Sequence, residues 1–226
     1  MNFGLDHNLL LLLNGSASLF LDGLAKSLTT ATTWIPLYIS LLYVVVKNND
    51  LMSRIMLILA AAGLCVLLSG SMNDIFVKPA VMRARPTHDA EIGYLVDIVN
   101  GYRGGPYGFF SSHAANTMSI AVFFCWLVRC RALSITLIAW SLINCWTRIY
   151  LGVHFPGDVA VGIVCGVIVG SLVWLLFYYV SHIKVAHRIF TDSKYTRTGY
   201  MRRDADVVIV VMTLTIAWCI GRACLY

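Results

Sequence analysis

Six apolar runs constrain this chain more than any other feature. They cover about Leu28–Val46, Ile55–Phe76, Ala114–Val128, Ala132–Ile149, Val159–Val180 and Val207–Leu225. A helix needs about 20 apolar residues, or roughly 17–25, to cross the hydrocarbon of a bilayer. The runs therefore predict an all-α integral membrane protein, a bundle of six transmembrane helices. The third run is short and has to recruit Ser111–His113 to span. Composition agrees: 59% of the 226 residues are hydrophobic and 12% are charged, about half the charge of an ordinary soluble domain.

The N-terminal segment, residues 1–27, is apolar but broken at Asn14-Gly15-Ser16, and Leu9–Leu13 is too short to span. We expect it to form one or two helices lying in the membrane interface; the alternative is an extra span. Asp6 and His7 interrupt the start, and no early basic cluster precedes the apolar residues, so a signal peptide is not expected. There is no lipidation motif. No second domain or large soluble loop is visible, which leaves a single membrane-embedded domain, 1–226. The fifth run carries Gly162, Gly166 and Gly170. Glycines four apart make a flat stripe on one helix face and favour close packing in lipid, so this run is expected in the middle of the bundle.

The seven cysteines lie nearly all within apolar runs, without a CxxC pair or a Cys–His spacing that suits zinc. They read as small buried side chains. The formal net charge is +6, but the basic residues fall in short segments between apolar runs. That pattern disfavours a nucleic-acid partner and favours lipid headgroups or phosphate substrates.

With six spans, the loops divide into two sets. One side holds Lys47, Arg54, Arg129, Arg131, Lys184, Arg188, Lys194, Arg197, Arg202 and Arg203. The other holds Lys26, Arg222, Lys78, Arg83, Arg85, Arg103 and Arg148. The last five stand in or near segments suspected of chemistry. Without them the asymmetry is steep, and positive residues favour the cytoplasm. The suspect loops are therefore expected to face away from it.

Three clusters fall on that outward side. The first is Lys78-Pro-Ala-Val-Met-Arg83-Ala-Arg85-Pro86. Three cations in eight residues repel one another unless an anion sits among them. Arginine suits bidentate contact with phosphate oxygens, and lysine serves as a point charge. The second is Phe110-Ser111-Ser112-His113, preceded by Gly104-Gly105-Pro106-Tyr107-Gly108. Ser111 or Ser112 is a natural N-cap, and a helix N-terminus is an anion site. The third is Arg148-Ile-Tyr-Leu-Gly-Val-His154-Phe-Pro-Gly-Asp158. Pro156 suits the first position of a helix, and Asp158 then lies in the first turn, four residues from His154. A hydrogen bond between them would fix the imidazole tautomer and free its other nitrogen to attack. Taken singly, the clusters have plain structural explanations: headgroup contact, a helix cap, a wetted loop. Together on one side of one small bundle they point to phosphate chemistry.

These residues resemble the three-part signature of the type 2 phosphatidic acid phosphatase superfamily, which includes membrane lipid phosphatases and soluble acid phosphatases. The resemblance runs from Lys78 to Asp158. It departs in the middle motif, where Phe110 and Ser112 replace the family's proline and glycine around Ser111 and His113. The resemblance implies that His154 is a nucleophile that forms a phosphohistidine, that Asp158 orients it, and that His113 is the general acid. Lys78, Arg85, Arg148 and Ser111 would hold the phosphoryl oxygens, with backbone N–H groups near Ser112. No metal or cofactor is implied. Arg83, Arg103, His88, Asp89 and Glu91 stand nearby as candidate readers of a headgroup. The expected protein is an inner-membrane enzyme with a periplasmic site, acting on lipid A or undecaprenyl diphosphate, with phosphatidylglycerol phosphate and phosphatidic acid as further candidates. The competing readings are a phosphotransferase using the same residues and an anionic-lipid binding or transport protein without catalysis.

Overall fold

The computed structural model describes residues 4–182 and 193–225. Lys184 and Arg188, counted above in the loop charge, lie outside the described residues. The helices are α1 (Leu5–Leu13), α2 (Leu19–Thr29), α3 (Ile35–Lys47), α4 (Met52–Val81), α5 (Ser112–Val128), α6 (Arg131–Tyr150), α7 (Pro156–His182) and α8 (Arg202–Ala223). Among the described residues there is no strand, only isolated bridges such as Ala84–Tyr107.

Four helices, α4, α6, α7 and α8, are long and apolar enough to cross a membrane. A fifth span results if α2 and Ala31–Lys47 count as one, although they are bent by 67°. The sequence had suggested six. Two local causes account for the difference. The first run breaks where Thr33 Oγ1 donates to the Ser27 carbonyl at 2.7 Å and Trp34 Nε1 to the Leu28 carbonyl at 2.8 Å. These bonds satisfy the backbone at the bend. The third run, α5, has only 17 residues.

The short α5, rather than α7, occupies the centre of the bundle. It is buried on nearly all sides, against α6, α7 and α4. The glycine stripe explains its fit with α7. A Cβ at Gly162, Gly166 or Gly170 would stand 2.7, 2.7 or 2.5 Å from the carbonyl oxygens of Ser111, Ala115 and Ser119. The stripe therefore brings α7 against the backbone of α5 and aligns their N-terminal ends.

Hydrogen bonds gather the described loops at two opposite faces. On one face, Asn48 Nδ2 donates to Asp204 at 2.9 Å, and Thr198 Oγ1 donates to the Val128 carbonyl at 2.8 Å. These bonds join the α3–α4 connection to the start of α8, and the segment before α8 to the end of α5. On the opposite face, Asn14 Nδ2 donates to the carbonyls of Asp97 and Tyr150. The N-terminal segment thereby meets the α4–α5 connection and the end of α6. There α1 buries Leu10 against Ile92, Val96 and Phe155.

Candidate active site

Lys78 sits on the last turn of α4 rather than in a loop. The apolar run ends near Phe76, and Pro79 beyond it lacks an N–H and crowds the preceding turn. Instead, π-helical turns over Leu67–Ser71 and Asn73–Val77 widen the backbone ahead of the proline, a common form of adjustment at functional sites. The helix stops at Met82, whose φ is 50°.

Arg85 is then aimed by the backbone around it. Its own N–H donates to the Pro106 carbonyl at 3.0 Å. Its Nε donates to the Tyr107 carbonyl at 3.0 Å and its Nη1 to the Val153 carbonyl at 3.2 Å. Gly104, at φ 68°, passes directly over the guanidinium, and a Cβ there would lie 2.7 Å from Nη1. Only glycine accommodates both the left-handed turn and this approach.

Ser111 is the N-cap of α5, with its side chain accepting from the Ala114 N–H at 3.4 Å. It is fully buried and stands behind the wall of the site rather than on it. Ser112 is on the wall. Its hydroxyl donates to Asp74 Oδ1 at 2.7 Å and accepts from Asn73 Nδ2 at 2.9 Å. The serine that replaces a glycine thus has dedicated partners. His113, on the first turn, faces the same space.

Arg148 ends α6. Its Nη1 donates to Thr29 Oγ1 at 2.6 Å and its Nη2 to the Tyr102 hydroxyl at 3.3 Å. A turn through Gly152, at φ 65°, brings the chain back so that His154 enters the site before Pro156 opens α7. Asp158 lies in the first turn, as the sequence indicated.

Together these elements enclose a cavity of about 300 Å³, lined by Lys78, Arg85, Arg148, His113, His154 and Ser112, with Asp74, Tyr102, Gly104 and Gly105. Six of the eight residues proposed from sequence line it. Ser111 and Asp158 support it from behind. His154 Nε2 is 3.4 Å from Arg85 Nη1, and its Nδ1 points toward Asp158. The expected hydrogen bond is absent: Nδ1 to Oδ2 is 3.8 Å, and Nδ1 has no partner among the described residues. Asp158 is engaged elsewhere, accepting from Arg83 Nη1 at 2.6 Å and from the Phe155 N–H at 3.2 Å. Burial, reinforced by the charges of Arg148, Arg85 and Lys78, pushes the His154 imidazole well below the ordinary histidine range. A neutral imidazole with one nitrogen open to an anion cavity is a competent nucleophile.

The residues missed in the sequence are informative. Asp74 holds Lys78 Nζ at 2.6 Å, an i,i+4 pair that becomes visible once the helix is extended past Phe76. Tyr102 gave no signal, because it reaches Arg148 only through folding. Of the suggested headgroup readers, Asp89 and Glu91 face His7, at 3.8 and 3.6 Å, and His88 pairs with Thr87 at 3.1 Å. None of these, nor Arg83 or Arg103, lines the cavity.

Comparison with known proteins follows the same lines. Residues 54–182 match the PAP2 superfamily. The chain is 38% identical over 214 residues to a lipid A 4'-phosphatase of Bacteroides thetaiotaomicron, covering 94% of this chain and 92% of that one. It is 35% identical over 176 residues to a lipid A 4'-phosphatase of Porphyromonas gingivalis, covering 77% and 73%. No solved structure matches. With the matched segment spanning the cavity and its motif residues, the chain belongs to the PAP2 superfamily.

Proposed function

We propose that this membrane phosphatase removes the 4'-phosphate of lipid A through a covalent phosphohistidine on His154. The observation that supports it most is the placement of His154 Nε2 beside Arg85 in a cavity shared by Lys78, Arg148 and His113. The relatives' activity supplies the substrate.

The phosphate monoester enters among three cations that otherwise repel one another. Arg85, Arg148 and Lys78 bind its oxygens, and the first turn of α5 adds backbone N–H groups. His154 Nε2 attacks phosphorus, and the P–N bond forms as the P–O bond to the sugar breaks. His113, charged by a proton taken up with the bound phosphate dianion, gives that proton to the departing sugar oxygen. Asp158 receives the charge that develops at Nδ1–H. Water then attacks phosphorus, His113 takes the water proton, the P–N bond breaks, and inorganic phosphate leaves. The cations do the electrostatic work, so activity persists in EDTA.

The same reading places six spans in the inner membrane. The bent α2–α3 pair counts as one span, and α5 crosses shielded by its neighbours. At about 1.5 Å per residue its 17 residues rise about 25 Å, enough for a helix that is not wetted by lipid along its length. The cavity faces the periplasm, and α1 lies in the interface. The test is regiochemical. Purified protein in detergent with EDTA should convert lipid A into its 4'-dephospho form, read by fragmentation mass spectrometry. Loss of the 1-phosphate instead, or no loss from lipid A while another lipid phosphate is cleaved, would reject the substrate.

A further inference from the structure

Arg83 lies in the first basic cluster but not in the cavity. It is clamped behind it. Its Nη1 donates to Asp158 Oδ1 and its Nη2 to Asp6 Oδ2, each at 2.6 Å. Its guanidinium lies over the Phe155 ring, 4.4 Å from the centroid. Asp6, on α1, also accepts from the Gly157 N–H at 2.8 Å. The space a Cβ of Gly157 would need is filled by that carboxylate, 2.9 Å away. Asp6, Arg83 and Asp158 thus form a continuous chain from the N-terminal helix to the residue behind His154. Two backbone N–H groups at the start of α7, those of Phe155 and Gly157, bond to its two ends.

We infer that Asp6 and Arg83 are positioning residues that hold Asp158 for His154, and that α1 is part of the catalytic apparatus. The inference rests on His154 being the nucleophile. Asp158 is fully buried, and a carboxylate in that setting needs partners for its lone pairs. Arg83 takes one oxygen and leaves the other facing Nδ1. A guanidinium suits this because its rigid fork offers one Nη to each carboxylate. Asp6 in turn holds the second Nη of Arg83, and its negative charge at the start of α7 complements the helix dipole. The matched PAP2 segment begins at residue 54, so α1 lies outside it, and the family motifs alone do not reveal Asp6.

The test compares Asp6→Asn, Arg83→Lys, Arg83→Met and the double variant Asp6→Asn/Arg83→Met, with His154→Ala as reference. kcat and KM are measured on lipid A in detergent, with thermal unfolding of each protein. Positioning predicts that Arg83→Met lowers kcat about ten- to a hundredfold, the scale known for outer partners that orient metal-ligating side chains, with KM little changed. Arg83→Lys should recover part of it. The double variant should be no slower than Arg83→Met alone, because both act through one chain. A raised KM with unchanged kcat would make Arg83 a headgroup reader and overturn the inference. So would variants that unfold earlier yet keep wild-type kcat when folded. If Arg83→Met does not fold, Asp6→Asn and Arg83→Lys decide by the same criteria. An active His154→Ala would remove the nucleophile reading itself, an outcome distinct from wild-type kcat in the Asp6 and Arg83 variants beside a dead His154→Ala.

Discussion

His154 Nδ1 stands 3.8 Å from Asp158 Oδ2, close enough for attraction but beyond a hydrogen bond. The pair is poised rather than joined, with the carboxylate tethered to Arg83 and the Phe155 N–H. Hydrogen bonds of this kind often tighten only when charge develops in the reaction. Asp158→Asn should therefore leave phosphate binding nearly intact while slowing turnover by roughly ten-thousandfold, the order seen when an orienting carboxylate is neutralised. Steady-state kinetics with phosphate as a competitive inhibitor separate the two effects. A loss of inhibition with unchanged kcat would contradict this role.

Asp74 sets a second expectation. Its carboxylate lies in the cavity and holds Lys78 and Ser112. Neutralising it frees a cation and removes a negative charge from the path of an anion. Asp74→Asn should bind inorganic phosphate more tightly, with the inhibition constant reduced several-fold. Weaker inhibition would show that Asp74 organises Lys78 for binding instead of restraining it.

Ser112→Gly restores the residue the family favours. It forfeits one bond to Asp74 and one from Asn73, at a cost of about 1–2 kcal/mol in stability. The backbone N–H at this position is retained, so turnover should stay within about tenfold of wild type. Thermal unfolding and kcat, measured together, test both halves.

The depressed basicity of His154 gives a pH dependence with a definite sign. In the unfolded chain the imidazole takes a proton below about pH 6.5. In the folded protein, burial and then Arg148, Arg85 and Lys78 oppose protonation. The unfolded state therefore binds more protons as pH falls, and stability drops from about pH 7 toward pH 5. His154→Gln should flatten that slope. Unfolding midpoints across this range, wild type beside variant, are the readout; parallel slopes would contradict it.

Gly166→Val tests how the site is assembled. A Cβ there meets the Ala115 carbonyl oxygen at 2.7 Å and Met118 Cβ at 2.8 Å. Overpacking of this sort costs about 1–3 kcal/mol. It would also push α7, which carries Asp158, away from α5, which carries Ser112 and His113. Lower stability and lower kcat should appear together, whereas Gly63→Val, with open space around it, should change neither.

The legible part of this protein is the part written in local pattern. Apolar runs located the long helices, Pro156 located the start of α7, and the Ser111-Ser112 pair located the start of α5, because each rests on neighbours in sequence. Spacing within three short motifs gathered Lys78, Arg85, Ser112, His113, Arg148 and His154 around one cavity. What sequence did not show depends on contacts between distant segments. Tyr102 meets Arg148, and Asp6 meets Arg83 and Gly157, only after the bundle closes. The π-helical turns that extend α4 past Pro79 and the bend that divides the first run at Thr33 and Trp34 arise from hydrogen bonds that no periodicity encodes. The central place of α5 was also hidden: its uniform burial reflects three neighbours, not a stripe.

Trapping the covalent intermediate separates catalysis through His154 from direct attack by water. Lipid A labelled with radioactive phosphate at the 4' position is mixed with enzyme, and the reaction is quenched in base within milliseconds. A phosphohistidine on His154 predicts label on the protein that survives base, is lost in acid, maps to the peptide containing His154 and is absent from His154→Ala. Label-free protein during rapid turnover, or label on any other residue, would contradict it.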